Sequence, residues 1–191
     1  MSDRLYTYQD DSNDKNLNQF ALQPEDLDAK IPVMKDIRDK FQADDNLISF
    51  ISSPWTAPTW MKTNNAYLGN GQIIGHPYEP TDRKGYFASW ALYFVKYIQA
   101  YQENGVDINA ITMQNLPSNG MSDKPYLPIP QTAWNPADEG VFLRDYLQPA
   151  FDEAGIDVNV IACDDYVLEL PNSPQIVYGI NYDNDKIRDW K

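Results

Sequence analysis

Ile111-Thr112-Met113-Gln114-Asn115-Leu116-Pro117 is the stretch on which the fold turns. An apolar, β-branched run of this kind reads as a buried strand emerging at a rim, and a proline closes it because proline brings no backbone donor to a ladder. Upstream, Leu47-Ile48-Ser49-Phe50-Ile51 is a second strand-like run, and it feeds Ser52-Ser53-Pro54-Trp55-Thr56-Ala57-Pro58-Thr59-Trp60-Met61-Lys62-Thr63-Asn64. Prolines stiffen that loop, and tryptophan faces are surfaces on which a sugar ring stacks. A single tryptophan is more often a core anchor. Trp55 and Trp60 together in one stiffened loop at a strand end favour a site.

Helical patterns separate these runs. Pro24 to Phe41 carries Glu25 and Asp26 at its start and Lys35, Arg38 and Lys40 toward its end, the polarity a helix dipole favours. Phe87, Ala91, Phe94, Ile98 and Tyr101 fall at spacings of three and four, which predicts an amphipathic helix ended by Asn104-Gly105. Another helix is predicted from Asn135 to Ala154, stopped by Gly155 and interrupted near Pro149. Val158 to Asp165 reads as a further strand, with Cys163 as a small buried hydrophobe near its end. Strands alternating with helices imply an α/β fold with a parallel sheet and right-handed crossovers. Ser118 to Pro130 is a long loop punctuated by proline and glycine, which fits either a cleft wall or an ordinary surface connection.

Composition narrows the partners. Of 191 residues, 42% are hydrophobic, which excludes a disordered chain, and no apolar run is long enough for a transmembrane helix. The net charge of −13 repels phosphate backbones and anionic membranes, so nucleic acid is not an expected partner, whereas a neutral carbohydrate is compatible. One cysteine forms no intrachain disulfide, and the lone His76 excludes a multi-histidine metal site. No P-loop, dinucleotide fingerprint or nucleophile elbow is present, so no cofactor and no metal are expected.

These segments, in this order, resemble glycoside hydrolase family 30, and within it the glucosylceramidases. Arg4-Leu5-Tyr6-Thr7-Tyr8 is similar to the loop after the family's second strand, Ser53-Pro54-Trp55 to the end of its third, Ile111 to Pro117 to its fourth, Val158 to Asp165 to its fifth and Tyr178-Gly179-Ile180 to the beginning of its sixth. The resemblance implies a single partial domain over residues 1–191, an incomplete (β/α)8 TIM barrel of about strands three to six, since a full barrel takes about 250 residues. It is expected to fade after Ile180, with Asn181-Tyr182-Asp183-Asn184-Asp185 replacing the sixth-strand aromatic segment.

The family activity implied is retaining hydrolysis of β-glucosides such as glucosylceramide, which needs two carboxyl groups roughly 5 Å apart. The family's acid/base falls at Leu116, a side chain that carries no proton, and its nucleophile would lie beyond Lys191. No catalytic residue is therefore expected intact. By resemblance, Asn115 contacts a sugar 2-hydroxyl, Trp55 and Trp60 belong to the glycone loop, and Asp164 and Asp165 match paired acids at the fifth strand end. Aspartates at a loop start also read as hydrogen-bonding caps. Three readings stay open: an inactive piece of a β-glucosidase barrel, a non-catalytic carbohydrate-binding module, and a truncated product of a longer glycosidase gene. Open sheet edges would favour self-association. Relatives are lysosomal or secreted, and no signal peptide begins this chain.

Overall fold

The computed structural model describes residues 4–42, 48–69, 71–75, 83–117, 129–162 and 164. Its centre is a three-stranded parallel sheet in the order β1 (Ile51–Ser52), β2 (Ala110–Thr112) and β3 (Asn159–Ile161). Ile51 pairs with Ala110, and Ile111 with Val160. Strands that neighbour one another in chain order, each joined to the next through helix, give the singly wound α/β pattern of a barrel wall.

α1 (Ile31–Gln42) is entered through a π-helical turn, Asp26–Lys30, and together they fill the expected helix. α2 (Arg83–Glu103) crosses from β1 to β2. It is not the one-sided helix its spacing suggests. Trp90, Tyr93 and Val95 are buried as well as Phe87, Ala91, Phe94, Ile98 and Tyr101, because one flank meets Tyr8 and Phe20 while another meets Trp134, Phe142 and Tyr146. Gly105, at φ +79°, then turns the chain toward β2.

The third helical stretch contains α3 (Pro136–Phe142), a π-helical turn Leu143–Leu147 and α4 (Gln148–Ala154). Asn135 caps α3 by accepting the Asp138 amide at 2.9 Å. The interruption expected at Pro149 sits one turn earlier, because a proline in the first turn of α4 has no N–H to give and the wider π turn before it absorbs the mismatch. Gly155, at φ +65°, ends the helix.

The strands are shorter than the sequence implies. β1 starts at Ile51 because the Phe50 amide donates to Asn109 Oδ1 at 2.8 Å instead of joining a ladder. β2 ends at Thr112, so Pro117 is not what closes it; the chain turns away first and reaches the left-handed region at Leu116, φ +49°. β3 ends at Ile161 rather than Asp165. The residues predicted for a sixth strand, together with Cys163, Asp165 and most of the loop after Pro117, lie outside the described residues.

Candidate functional site

The three strands release their chains at the same end of the sheet, and short polar side chains tie the exits together. Ser53 Oγ lies 2.6 Å from Thr112 Oγ1, and Asp164 Oδ2 accepts from Ser53 Oγ at 2.6 Å and from Thr112 Oγ1 at 3.0 Å. Two hydroxyl protons serve three contacts, so one of the two hydroxyls shares its proton between the other hydroxyl and the carboxylate. Asp164 thus fastens β1 and β2 to the segment after β3, the capping role open to an aspartate at a strand end. Its backbone carbonyl also accepts the Leu116 amide at 2.8 Å.

The backbones that carry Trp55 and Asn115 adjoin on this rim through their neighbours Pro54 and Gln114. The Asn115 amide donates to Pro54 O at 3.0 Å, and Gln114 Nε2 donates to Trp55 O at 2.8 Å. Trp55 is 41% exposed, so part of its ring is open to solvent. Leu116 stands beside Asn115, its amide held by Asp164 and its carbonyl accepting from Gln131 Nε2 at 3.1 Å. The residue with no proton to give therefore occupies a position whose backbone is fixed from both sides.

Trp60 is placed differently from the sugar-loop role that the sequence suggests. Only 7% of it is exposed, its indole N–H donates to Gln9 Oε1 at 3.1 Å, and its ring lies 5.7 Å from that of Tyr86. It is a core anchor of the short 3₁₀ turn Thr59–Met61, in the same loop as Trp55 but directed inward.

Trp55 and Pro54 stand at the wall of a cavity of about 600 Å³ that runs along the open side of β1. Tyr8, Trp90, Tyr93 and Tyr97 line it, Ser52, Ser53 and Thr56 give it hydroxyls, and Arg4 and Lys30 are its cations. No Asp or Glu is among the described lining residues, and Asn115, Trp60 and Asp164 are not among them either. Burial pushes the Tyr8 and Tyr93 phenols far above their ordinary range, so these rings present neutral hydroxyls. An aromatic wall with neutral donors and acceptors suits an uncharged polyol or an apolar group, and it offers no carboxyl pair for glycoside cleavage.

Two residues of the rim carry no signature in the sequence. Lys62 is 1% exposed and donates to oxygens of two loops, and Gln131 is the link from that lysine to Leu116. A lysine after Trp60-Met61 looks like any solvated cation, and only the tertiary fold reveals its burial.

The model of the glycosyl hydrolase family 30 TIM-barrel domain matches residues 1–186, so similarity continues past Ile180, where it was expected to fade. Over 174 residues the chain is 35% identical to lysosomal acid glucosylceramidase of Mus musculus, covering 91% of this chain and 32% of that protein. It is also 35% identical over 145 residues to the endo-1,6-β-D-glucanase BGN16.3 of Trichoderma harzianum, covering 75% of this chain and 28% of that protein. Among solved structures, an endo-β1,6-glucanase superposes with a TM-score of 0.69 at 29% identity, over 85% of this chain and 32% of that one. The chain thus spans about a third of the length of the relatives it matches.

Proposed function

This chain belongs to glycosyl hydrolase family 30 and folds as part of its TIM barrel, and from that premise we propose that it carries a β-glucoside-recognising rim whose general-acid position has been lost. The observation that supports the reading is that the loop bearing the exposed Trp55 is hydrogen-bonded to the segment bearing Asn115 and Leu116 at one end of a parallel sheet. Trp55 supplies a stacking face and Asn115 an amide for a sugar hydroxyl. Leu116 supplies neither proton nor charge, and general acid catalysis is worth about 10² to 10⁴ in rate. The chain is therefore expected to bind without turning over. Of the residues that the resemblance assigns to substrate, Trp55 and Asn115 keep that role in this proposal, Asp164 takes a structural one, Trp60 leaves the site, and Asp165 lies outside the described residues.

The ligand class is the β-D-glucosyl unit. A glucosylceramidase and endo-1,6-β-glucanases are among the relatives, and both descriptions share that unit while differing in what is attached. Affinity near a millimolar dissociation constant, about −4 kcal/mol, is expected for one stacked ring and one amide. Titration with octyl β-glucoside and with gentiobiose, followed by tryptophan fluorescence, tests it. A saturable change that disappears in Trp55→Ala is the expected result, and the arm that saturates at lower concentration identifies the aglycone. An unresponsive wild type, or a response kept in Trp55→Ala, would remove the sugar site. Release of nitrophenol from an aryl β-glucoside above a protein-free control would show that the chemistry survives without a carboxyl at position 116.

A further inference from the structure

Lys62 is the one described lysine whose residue is almost wholly buried, at 1% exposure, and none of its described partners is a carboxylate. Its ammonium donates instead to Thr56 Oγ1 at 3.0 Å and to the backbone carbonyls of Ala66 at 2.6 Å, Tyr67 at 3.1 Å and Gln131 at 2.5 Å. An ammonium has three protons, so four oxygens around it form a shared cage. Burial pushes Lys62 down to about 8, and hydrogen bonds to an ammonium in general favour its charged form. At neutral pH the group is thus a cation held only by dipoles. Retaining a buried charge without a counter-ion is costly unless hydrogen bonds replace its hydration.

The three pieces of chain that the cage joins are those that build the candidate site. Thr56 follows Trp55 directly. Tyr67 and Pro130, the neighbour of Gln131, line the same cavity as Trp55. Gln131 continues the connection, because its side chain donates to the Leu116 carbonyl at 3.1 Å while its amide donates to Tyr67 O at 3.1 Å. Beside it, the buried Thr132 hydroxyl accepts the Ala57 amide at 2.8 Å, a second tie between the same two loops.

We propose that Lys62 is a positioning residue, a carbonyl-caged ammonium that fixes the Trp55 loop against the 129–134 segment and, through Gln131, sets the backbone at position 116. It touches no sugar in this assignment. It rests on the sugar-site reading only for its purpose, since the cage and the loop order can be measured without any ligand.

The test uses the full chain, with acrylamide quenching of tryptophan fluorescence at a temperature where circular dichroism shows native helix content. Subtracting the same measurement on Trp55→Phe proteins isolates the Trp55 contribution. In Lys62→Met, which keeps the aliphatic stem and removes the charge, the Trp55 quenching constant is expected to rise about twofold as the loop opens locally, with the other tryptophans unchanged. Thr56→Val, which removes one acceptor, should move it the same way by less. The wild type should also give a slowly exchanging lysine ammonium resonance, as a caged group protected from water would. Absence of that resonance, or wild-type Trp55 quenching in a folded Lys62→Met, overturns the proposal. Should Lys62→Met fail to fold, the resonance and Thr56→Val decide the matter. A wild type that binds no glucoside while showing the resonance and the quenching change would sink the sugar site and leave Lys62 in its role.

Discussion

The rim and the flank of this sheet are held by opposite means. At the strand ends, single hydrogen bonds from Ser53, Thr112, Asp164, Gln131 and Lys62 tie side chains and backbone carbonyls together one at a time. Beside β1, Tyr8 is packed among rings, stacked 5.8 Å from Tyr93 and 5.9 Å from Tyr97. Within this aromatic layer sits one fully buried carboxylate, Asp26, accepting from the Tyr8 hydroxyl at 2.9 Å, the Tyr101 hydroxyl at 2.8 Å and Lys30 at 2.8 Å. Many weak ties tolerate the loss of one. A layer organised on a single acceptor does not.

The largest effect should therefore come from the flank. Asp26→Ala takes their described acceptor from the partly buried Tyr8 phenol, the buried Tyr101 phenol and the half-exposed Lys30, and breaking a partly buried charged network of this kind costs about 3 kcal/mol. Urea unfolding with an unchanged slope would measure it. A loss below about 1 kcal/mol would mean that the rings, not the carboxylate, hold the layer.

The next effect depends on pH and belongs to the start of α3, next to the rim. Asp138 is 1% exposed, and burial raises its carboxyl from the ordinary value to about 7, partly offset by the Asn135 amide. Its folded-state value lies above its unfolded one, so its contribution to stability is complete below about pH 4 and is lost as pH rises through about 7. Asp138→Asn keeps an acceptor for Asn135 and removes the ionisation. The stability of the variant relative to wild type should thus grow between pH 4 and 7.5, on the order of 2 kcal/mol. A difference that is flat across this range would show that Asp138 ionises in the fold at no cost.

What the sequence reveals follows the same division. The helices were legible because apolar residues recur at helical spacing, as at Phe87, Phe94 and Ile98, and the parallel order because strands alternate with helices. The resemblance led to adjoining segments, since Trp55 and Asn115 lie after neighbouring strands whose exits are hydrogen-bonded together. The groups that hold the layers were not legible. Asp26 looks like an ordinary acid at a helix start and Lys62 like a surface cation, because burial of a lone charge depends on partners distant in the chain, Tyr101 for one and Gln131 for the other. Trp60 was misplaced for a related reason. A loop stiffened by proline has two sides, and composition does not say which tryptophan faces inward.

A smaller loss tests the redundancy of the rim. Asp164→Ala removes the acceptor of Ser53 and Thr112, but these hydroxyls remain 2.6 Å apart and can bond each other. The cost should be about 1 to 2 kcal/mol, less than at Asp26, as expected for a network that keeps part of its pairing. A double-mutant cycle with Ser53→Ala should show coupling between the two sites. Additive losses would break the idea of a shared network and leave two independent contacts.

The smallest effect sharpens the comparison, because it concerns strain and not a lost bond. Leu116 holds φ at +49°, a conformation that costs an L-residue about 1 to 2 kcal/mol and costs glycine little. The rim imposes it, through the Leu116 amide on Asp164 O and its carbonyl on Gln131 Nε2. Leu116→Gly relieves the backbone while adding freedom to the unfolded chain, worth about 0.5 to 1 kcal/mol in the other direction, and it gives up some packing of a half-buried side chain. The balance should lie within about 0.5 kcal/mol of wild type, whereas the same exchange at Leu147, buried and helical, should cost at least about 2 kcal/mol. If Leu116→Gly were as costly as Leu147→Gly, position 116 would be a packing site and not a backbone held at the rim. A near-neutral result would identify it as a position whose geometry is set by its neighbours, open to a side chain chosen for chemistry.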